Sequence, residues 1–406
     1  MKQRSLYQKV WTELSREKSM IFMAGPRQAG KTTLAQILSK SFTNSLYFNW
    51  DILEHRTKLL DNPNFFEEVM RRDASRPLII LDEIHKFKDW KNYLKGIYDQ
   101  FYDQYQFLVS GSGRLDIYQK GGDSLAGRYY LFHLWPFSIA ELGGRNREIK
   151  DFLRNPLDIS MAGSDKLKNI WTRLSEMSGF PEPFLLHKDT SYRRWSNTYS
   201  NQLIREDIRD LTAVKSIKEL ETLYYLLPSK VGSPLSIPSL ASDLRVSYNS
   251  IRNWLSVFEL VFLVFSVYPW TKKITRAIQK ERKIYLWDFP RIKDKSVRFE
   301  NMIAAELFRA VTQWNDLGYG AFSLHFIRNK EKQEVDFLIA NLGDPVVLIE
   351  AKRSDSKVSP SLKKFQANLQ IPAVQLVGNH EGYKLISNNG RKILIAPAFQ
   401  WLSRLP

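Results

Sequence analysis

The sequence predicts an α/β protein, with a parallel sheet in its first third and a second strand-rich region in its last quarter. Three observations carry that prediction. Short apolar runs alternate with helix-periodic stretches up to about residue 143, as β–α–β units require. A Gly-containing loop, Gly25-Pro26-Arg27-Gln28-Ala29-Gly30-Lys31-Thr32, joins the first run to the first helix. Near the C-terminus, two strand-like runs flank the turn Asn341-Leu342-Gly343-Asp344-Pro345.

Each element has its own reason. Ser19 to Ala24 reads as a buried strand, Leu46 to Trp50 as a second, and Leu78 to Leu81 as a third. Gln106 to Val109 is the fourth and Tyr129 to Phe132 the fifth. Between the third and fourth, Leu94, Ile97, Phe101 and Tyr105 recur at spacings of three and four, which puts them on one helix face. Residues 144–212 read as polar and helical, interrupted by Ser178-Gly179-Phe180-Pro181-Glu182-Pro183. Residues 213–292 read as three helices and a basic hairpin. Residues 293–406 open with a helix from Phe299 to Val311, followed by strand pairs and a mixed end. The expected domains are therefore 1–143, a helical lid at 144–212, a winged-helix-like segment at 213–292, and a final α/β domain at 293–406. The sequence holds no internal repeat.

Composition narrows the partners. Of the 406 residues, 43% are hydrophobic and 25% charged, ordinary globular usage that excludes wholesale disorder. The net charge of +17 favours a polyanionic partner, either nucleic acid or an anionic membrane surface. Cysteine is absent, which excludes disulfides, zinc fingers, thiolate nucleophiles and Cys-ligated clusters. A long chain without disulfides fits a reducing cytosol. Met1 to Ser5 lead into a polar stretch without an apolar signal-peptide region. The most apolar run, Leu260 to Phe265, is far shorter than the roughly 20 residues a bilayer-spanning helix needs. The expectation is a cytoplasmic protein with no membrane partner.

The loop at Gly25 to Thr32 matches G-x-x-x-x-G-K-[ST] between a strand and a helix, the context that motif requires. Its glycines let the backbone N–H groups curl around a phosphate, and the helix N-terminus adds partial positive charge. Lys31 is expected to reach the β- and γ-phosphates of ATP, and the Thr32 hydroxyl to bind Mg²⁺. About fifty residues on, the apolar run Leu78 to Leu81 ends in Asp82-Glu83. Asp82 suits Mg²⁺ through water, and Glu83 suits the base that polarises the attacking water. The fourth strand ends in Ser110-Gly111-Ser112-Gly113-Arg114, where a hydroxyl can face the γ-phosphate or the water. Arg128, after Ser124-Leu125-Ala126-Gly127, is a candidate arginine finger, and Arg114 competes with it; a surface ion pair is the other reading of Arg128.

These residues also carry a resemblance. Gly25 to Thr33, Leu81-Asp82-Glu83-Ile84-His85-Lys86 with Asp89-Trp90, Ser110-Gly111-Ser112, and Leu125 to Arg128 leading to Leu134-Trp135-Pro136-Phe137-Ser138 resemble a family of bacterial and archaeal AAA-superfamily ATPases. Gly179 to Pro183, Glu334-Val335-Asp336-Phe337 and Glu350-Ala351-Lys352 extend the resemblance along the chain. It implies an AAA-type P-loop core with sheet order 5-1-4-3-2, a restriction-endonuclease-like C-terminal region, and ring-like, hexamer-like homo-oligomers that share sites between subunits. Ser110 stands where a Thr is more usual, keeping the hydroxyl, and Gly113-Arg114 also departs from the family pattern.

Two further regions suggest nucleic-acid chemistry. Pro238 to Leu244, the turn Arg245-Val246-Ser247 and the helix Tyr248 to Phe258 have helix-turn-helix spacing. Ile251, Trp254, Leu255 and Phe258 share one face, while Asn249, Ser250, Arg252 and Asn253 share the other. The hairpin Phe265 to Trp287 would be a wing. Residues 270–298 hold ten Lys or Arg, among them Lys272, Lys273, Arg276, Lys280, Arg282 and Lys283, against three acidic residues. That charge suits a DNA backbone or, in the blander reading, a solvated face. Further on, a hairpin would bring Asp336 beside Glu350 and Lys352, which alternate onto one strand face. Two carboxylates can hold Mg²⁺ while Lys352 stabilises charge on a cleaved phosphate. Glu300 could add a third oxygen and Glu334 could substitute for one. The spacing D-x₁₃-E-x-K resembles the PD-(D/E)xK nuclease fold; a decayed nuclease kept as a binding module is the competing reading.

Overall fold

The computed structural model describes residues 3–111, 125–144, 147–208, 217–271, 281–354, 357–378 and 380–406, with only the backbone at 206–207. It divides into two compact units. One comprises Met1–Pro136 with Leu260–Phe262, the other Phe137–Glu259 with Leu263–Pro406.

The first unit runs α1 (Ser5–Glu17), β1 (Met20–Ala24), α2 (Lys31–Ser41), β2 (Ser45–Asn49), α3 (Leu53–Asp61), β3 (Leu78–Asp82), α4 (Trp90–Phe101), β4 (Gln106–Ser110) and β5 (Tyr130–His133). Its described strands form one parallel sheet in the order β2-β3-β4-β1-β5, the expected order read from the other edge. Every residue of β1 and β3 is buried, which is why both read as unbroken apolar runs rather than alternating ones. Strand β2 lies at an edge and buries only Phe48 fully. The apolar face of α4 packs as its spacing predicts, burying Leu94, Ile97 and Phe101. Tyr105 falls past the end of the helix yet stays in the same core, edge-on to Phe66 at 5.3 Å. Such aromatic pairs add about 0.5–1.5 kcal/mol beyond the area they bury.

The order of the strands positions the site. The Gly25–Thr32 loop follows β1, the Asp82-Glu83 carboxylates end β3, and β4 lies between them. Two strand spacings amount to roughly 10 Å, a gap that side chains close from both sides.

The second unit begins with helices Ile139–Gly143, Ile149–Arg154, Ser164–Met177, Pro181–Leu186 and Asp189–Gln202. The interruption expected at Ser178 to Pro183 is present: Ser178 has φ 64°, and Pro181 opens the next helix, where its missing N–H costs nothing. Helices Ile217–Leu226, Ile237–Leu244 and Tyr248–Leu260 follow. Among the described residues, eight strands then form one sheet. They are β6 (Val264–Pro269), β7 (Lys283–Leu286), β8 (Phe322–Arg328), β9 (Glu334–Asn341), β10 (Asp344–Lys352), β11 (Ala373–Val377), β12 (Lys384–Asn388) and β13 (Arg391–Pro397), in the order β12-β13-β11-β10-β9-β8-β6-β7. Strands β6 and β7 pair antiparallel, as the expected hairpin requires. The far end of β6 also pairs in parallel with β8, so the hairpin is an edge of the C-terminal sheet. Lys272, Lys273, Arg276 and Lys280 lie outside the described residues.

The helix expected over Phe299 to Val311 runs from Lys295 to Asp316. Asp294 caps it, its carboxylate accepting the Ser296 and Val297 N–H groups at 2.7 and 3.0 Å. Gly318, at φ 71°, turns the chain away from the far end. Among the described residues, no helix is long and apolar enough to cross a membrane.

Candidate nucleotide site and carboxylate cluster

The loop after β1 has the shape its glycines permit. Gly25 has φ 142°, and a Cβ there would stand 2.2 Å from the Leu134 carbonyl oxygen, so any side chain would push β1 and the segment after β5 apart. Gly30, at φ 100°, turns the chain into α2, whose N-terminal dipole end faces the loop. Within it, the Ala29 N–H donates to the Pro26 carbonyl, and Gln28 stands at φ 61°. The Lys31 ammonium is buried and donates to the Gly25 and Pro26 carbonyls, both at 2.9 Å. Arg4, also buried, donates to the Ala29 and Trp135 carbonyls at 2.6 Å each, tying the chain's start to the loop.

Asp82, 1% exposed, is the meeting point. Its Oδ2 accepts the Thr32 hydroxyl at 2.9 Å and the Tyr47 hydroxyl at 2.8 Å. Its Oδ1 accepts the Ser110 hydroxyl, as the register pairing Asp82 with Ser110 allows. Three strands and the loop helix thus converge on one carboxylate. The three hydroxyl donors fix the direction in which its oxygens point. Burial, then the Asp82 charge, pushes the Tyr47 phenol well above its ordinary range, so Tyr47 remains a donor.

Glu83 sits at φ 57°, a left-handed position that costs a non-glycine residue about 1–3 kcal/mol. Its N–H is anchored to the Ser110 carbonyl at 2.9 Å. Its carboxylate lies 3.1 Å from the Lys86 ammonium and 3.8 Å from His85 Nε2, and Lys86 also grips Asp51. Arg128 forms a two-pronged pair with Asp99, Nε to Oδ1 at 2.6 Å and Nη2 to Oδ2 at 2.9 Å. A role across a subunit boundary would need that pair to open. Ser112, Arg114 and Ser124 lie outside the described residues.

Sequence reasoning passed over Tyr47, Arg4 and Lys86. Tyr47 carried a faint signal, since it and Asn49 alternate onto one face of β2 just before the chain leaves the sheet. Arg4 answers partners far along the chain, and Lys86 joins its near neighbour Glu83 to the distant Asp51, a link that spacing does not reveal.

Thr32 and Asp82 offer Mg²⁺ the oxygen donors it prefers, a hydroxyl and a buried carboxylate already in contact, so these residues fit that ion.

The second unit assembles the other expected set. Strands β9 and β10 pair antiparallel with Ile349 opposite Phe337, and the Ala351 N–H donates to Asp336 Oδ2 at 2.8 Å. Glu350 is buried, with its Oε1 2.8 Å from the Lys352 ammonium. Burial and the Asp336 charge push the Glu350 carboxyl up to about 7, against the pull of Lys352. Burial opposes the Lys352 charge, but Glu350, joined by Asp336 and Glu300, outweighs it and holds that ammonium above its ordinary value. Glu300 receives the Tyr285 hydroxyl at 2.8 Å. Burial and Asp336 push it, too, up to about 7. Lys283, assigned by sequence to a DNA-facing strand, instead points inward, its side chain 1% exposed. Its Nζ lies 2.7 Å from Glu334, 3.2 Å from Glu300 and 3.8 Å from Asp336. Four carboxylates share two ammonium groups here, and burial, reinforced by the Asp336 charge, drives the upward shifts at Glu300 and Glu350. Among the described residues, no group of three or more His, Asp or Glu side chains is arranged to hold a metal ion.

The helix pair expected to meet DNA is formed. Arg245 takes a left-handed turn at φ 53°, and Val246 N–H closes back on the Ala241 carbonyl. Ser247 then caps the second helix through Ser250 N–H at 3.0 Å. Ile251, Trp254, Leu255 and Phe258 are buried, while Asn249, Arg252 and Asn253 are exposed.

The fold and this convergence define a mixed α/β protein with a five-stranded parallel core, resembling that of P-loop ATPases, and a second sheet toward the C-terminus. Residues 17–143 match the family model described as an AAA domain, which supports an AAA-type ATPase. Residues 169–289 and 297–398 match two models described as domains of unknown function, DUF8612 and DUF4143. Among relatives, the chain is 22% identical over 371 residues to the uncharacterized protein Rv2008c of Mycobacterium tuberculosis, covering 89% of this chain and 77% of that one. It is 23% identical over 398 residues to the uncharacterized protein MJ1544 of Methanocaldococcus jannaschii, covering 93% and 86%. The Walker-type ATPase PABY2304 of Pyrococcus abyssi superposes with a TM-score of 0.42 at 14% identity, covering 71% of this chain and 94% of that one.

Proposed function

We propose that the protein hydrolyses ATP with Mg²⁺ and couples turnover to binding DNA, as a homo-oligomer. One observation carries the ATP reading: the loop hydroxyl of Thr32 and the strand-end carboxylate of Asp82 stand 2.9 Å apart although fifty residues separate them. In this reading, backbone N–H groups from Gly25 and from Arg27, Gln28, Ala29 and Gly30 through Lys31, Thr32 and Thr33 surround the phosphates, while Pro26, which has no N–H, fixes the curve of the loop. Lys31 leaves its two carbonyls for the β- and γ-oxygens. Thr32 and Asp82 would hold Mg²⁺, which supplies charge neutralisation between the phosphates. Glu83 orients the attacking water and accepts its proton once its carboxylate parts from Lys86. Ser110 and Tyr47 hold the Asp82 carboxylate in place. Arg128 is the finger only after it exchanges Asp99 for a neighbour's phosphate.

DNA binding draws on the net charge of +17 and on the exposed polar face of Tyr248–Leu260. Cleavage by Asp336, Glu350 and Lys352 is the finer possibility within this reading. The competing reading, an ATP-driven switch whose C-terminal sheet binds without cutting, is favoured at that sheet by the position of Lys283. The discriminating experiment is the ATP turnover rate with and without duplex DNA at 50 and 200 mM salt. The proposal expects stimulation at low salt that fades at high salt. Turnover indifferent to DNA at both concentrations would refute the coupling.

A further inference from the structure

We infer that Lys283 is the resident cation of the C-terminal carboxylate cluster, so that this site takes no divalent metal and the sheet does not cut phosphodiesters by metal-assisted hydrolysis. The inference concerns the second unit alone and is independent of the ATP reading.

A nuclease site of this pattern needs open carboxylate oxygens that can turn toward one shared point. Here that point is filled. The Lys283 ammonium sits among Glu334, Glu300 and Asp336 at 2.7, 3.2 and 3.8 Å. The oxygen of Glu300 that faces Lys283 also accepts the Tyr285 hydroxyl. Asp336 spends its other oxygen on the Ala351 N–H. Glu350 turns Oε1 to Lys352 and buries Oε2 without a hydrogen-bond partner, away from the three acids that hold Lys283. The donors have the right chemistry for Mg²⁺, but the protein supplies its own positive charge where the ion would sit.

The placement is built rather than incidental. Lys283 lies on β7, opposite Val267 of β6, and its backbone bridges to Pro234. Its ammonium lies 5.5 Å from the centre of the Phe326 ring. Its stem is enclosed, so the ammonium cannot swing into solvent to admit an ion without breaking contacts to three acids and a ring. An ammonium held this way fixes the carboxylates structurally, which suits a binding surface or an assembly module better than a hydrolytic centre.

Mn²⁺ binding to the full chain, read by electron paramagnetic resonance without nucleotide, tests this directly. The wild type and Asp336→Asn are expected to bind the same number of ions, because the cluster contributes none. Lys283→Met, with its fold checked by circular dichroism, is expected to gain one Mn²⁺ that the Lys283→Met/Asp336→Asn double variant loses. The inference is overturned if the wild type binds an ion that Asp336→Asn loses, a comparison that stands even if Lys283→Met does not fold. It is equally overturned if a folded Lys283→Met gains no ion, since Lys283 is then not what keeps metal out.

Discussion

At the residue scale, the nucleotide site is organised around Asp82. Thr32, Tyr47 and Ser110 each place a hydroxyl on it. Tyr47 is the informative member, because it reaches Asp82 from β2 rather than from the loop. Tyr47→Phe removes one donor without changing shape and leaves Asp82 less firmly fixed. A lost hydrogen bond to a charged acceptor costs about 1.5–3 kcal/mol, so turnover is expected to fall about tenfold or more while nucleotide affinity changes little. Steady-state kinetics separates the two; a rise in KM with unchanged kcat would place Tyr47 in binding instead. Most of this site was legible because a glycine loop and an acidic strand end have fixed spacings and fixed neighbours. Tyr47 was not legible, because its value depends on β2 lying beside β3, which no local pattern states. Lys283 misled for a related reason: in sequence it sits in a basic run, and only the fold turns it inward.

At the element scale, the strands and helices followed their patterns closely. The apolar runs of β1, β3 and β4 mark a sheet buried on both faces. Two strand-like runs flanking the turn Asn341 to Pro345 mark the hairpin that brings Asp336 toward Glu350. What the patterns could not show is pairing between distant strands. Strand β6 looks like half of a local hairpin, yet its end extends the sheet through Tyr268 and Pro269 beside His325 and Phe326. The helix Tyr248–Leu260 was fully readable, since its four buried positions and its serine cap are both local. Its exposed face gives a prediction. Arg252→Ala is expected to weaken duplex DNA binding at low salt and to reduce the slope of log affinity against log salt by about one. ATP turnover without DNA is expected to stay at the wild-type rate. Fluorescence anisotropy across a salt series reads the effect; an unchanged slope would mean that this face does not meet phosphate.

At the scale of the whole molecule, two units carry two different charge arrangements. In the first, a buried lysine and a buried carboxylate stand at the loop end of the sheet, where the proposed function has them meet phosphates and a cation. In the second, lysines already neutralise part of an acidic cluster, leaving little call for an external ion. The excess positive charge of the chain lies outside both arrangements, and it is the feature that most favours a polyanion. The account as a whole depends on Lys31 and Asp82 serving one nucleotide. Calorimetric titration of Mg²⁺–ATP into the wild type and Lys31→Ala tests this most directly. Binding by the wild type, weakened about 100-fold or about 2.7 kcal/mol in the variant, is the expected result. Equal affinity in the two proteins would contradict the account.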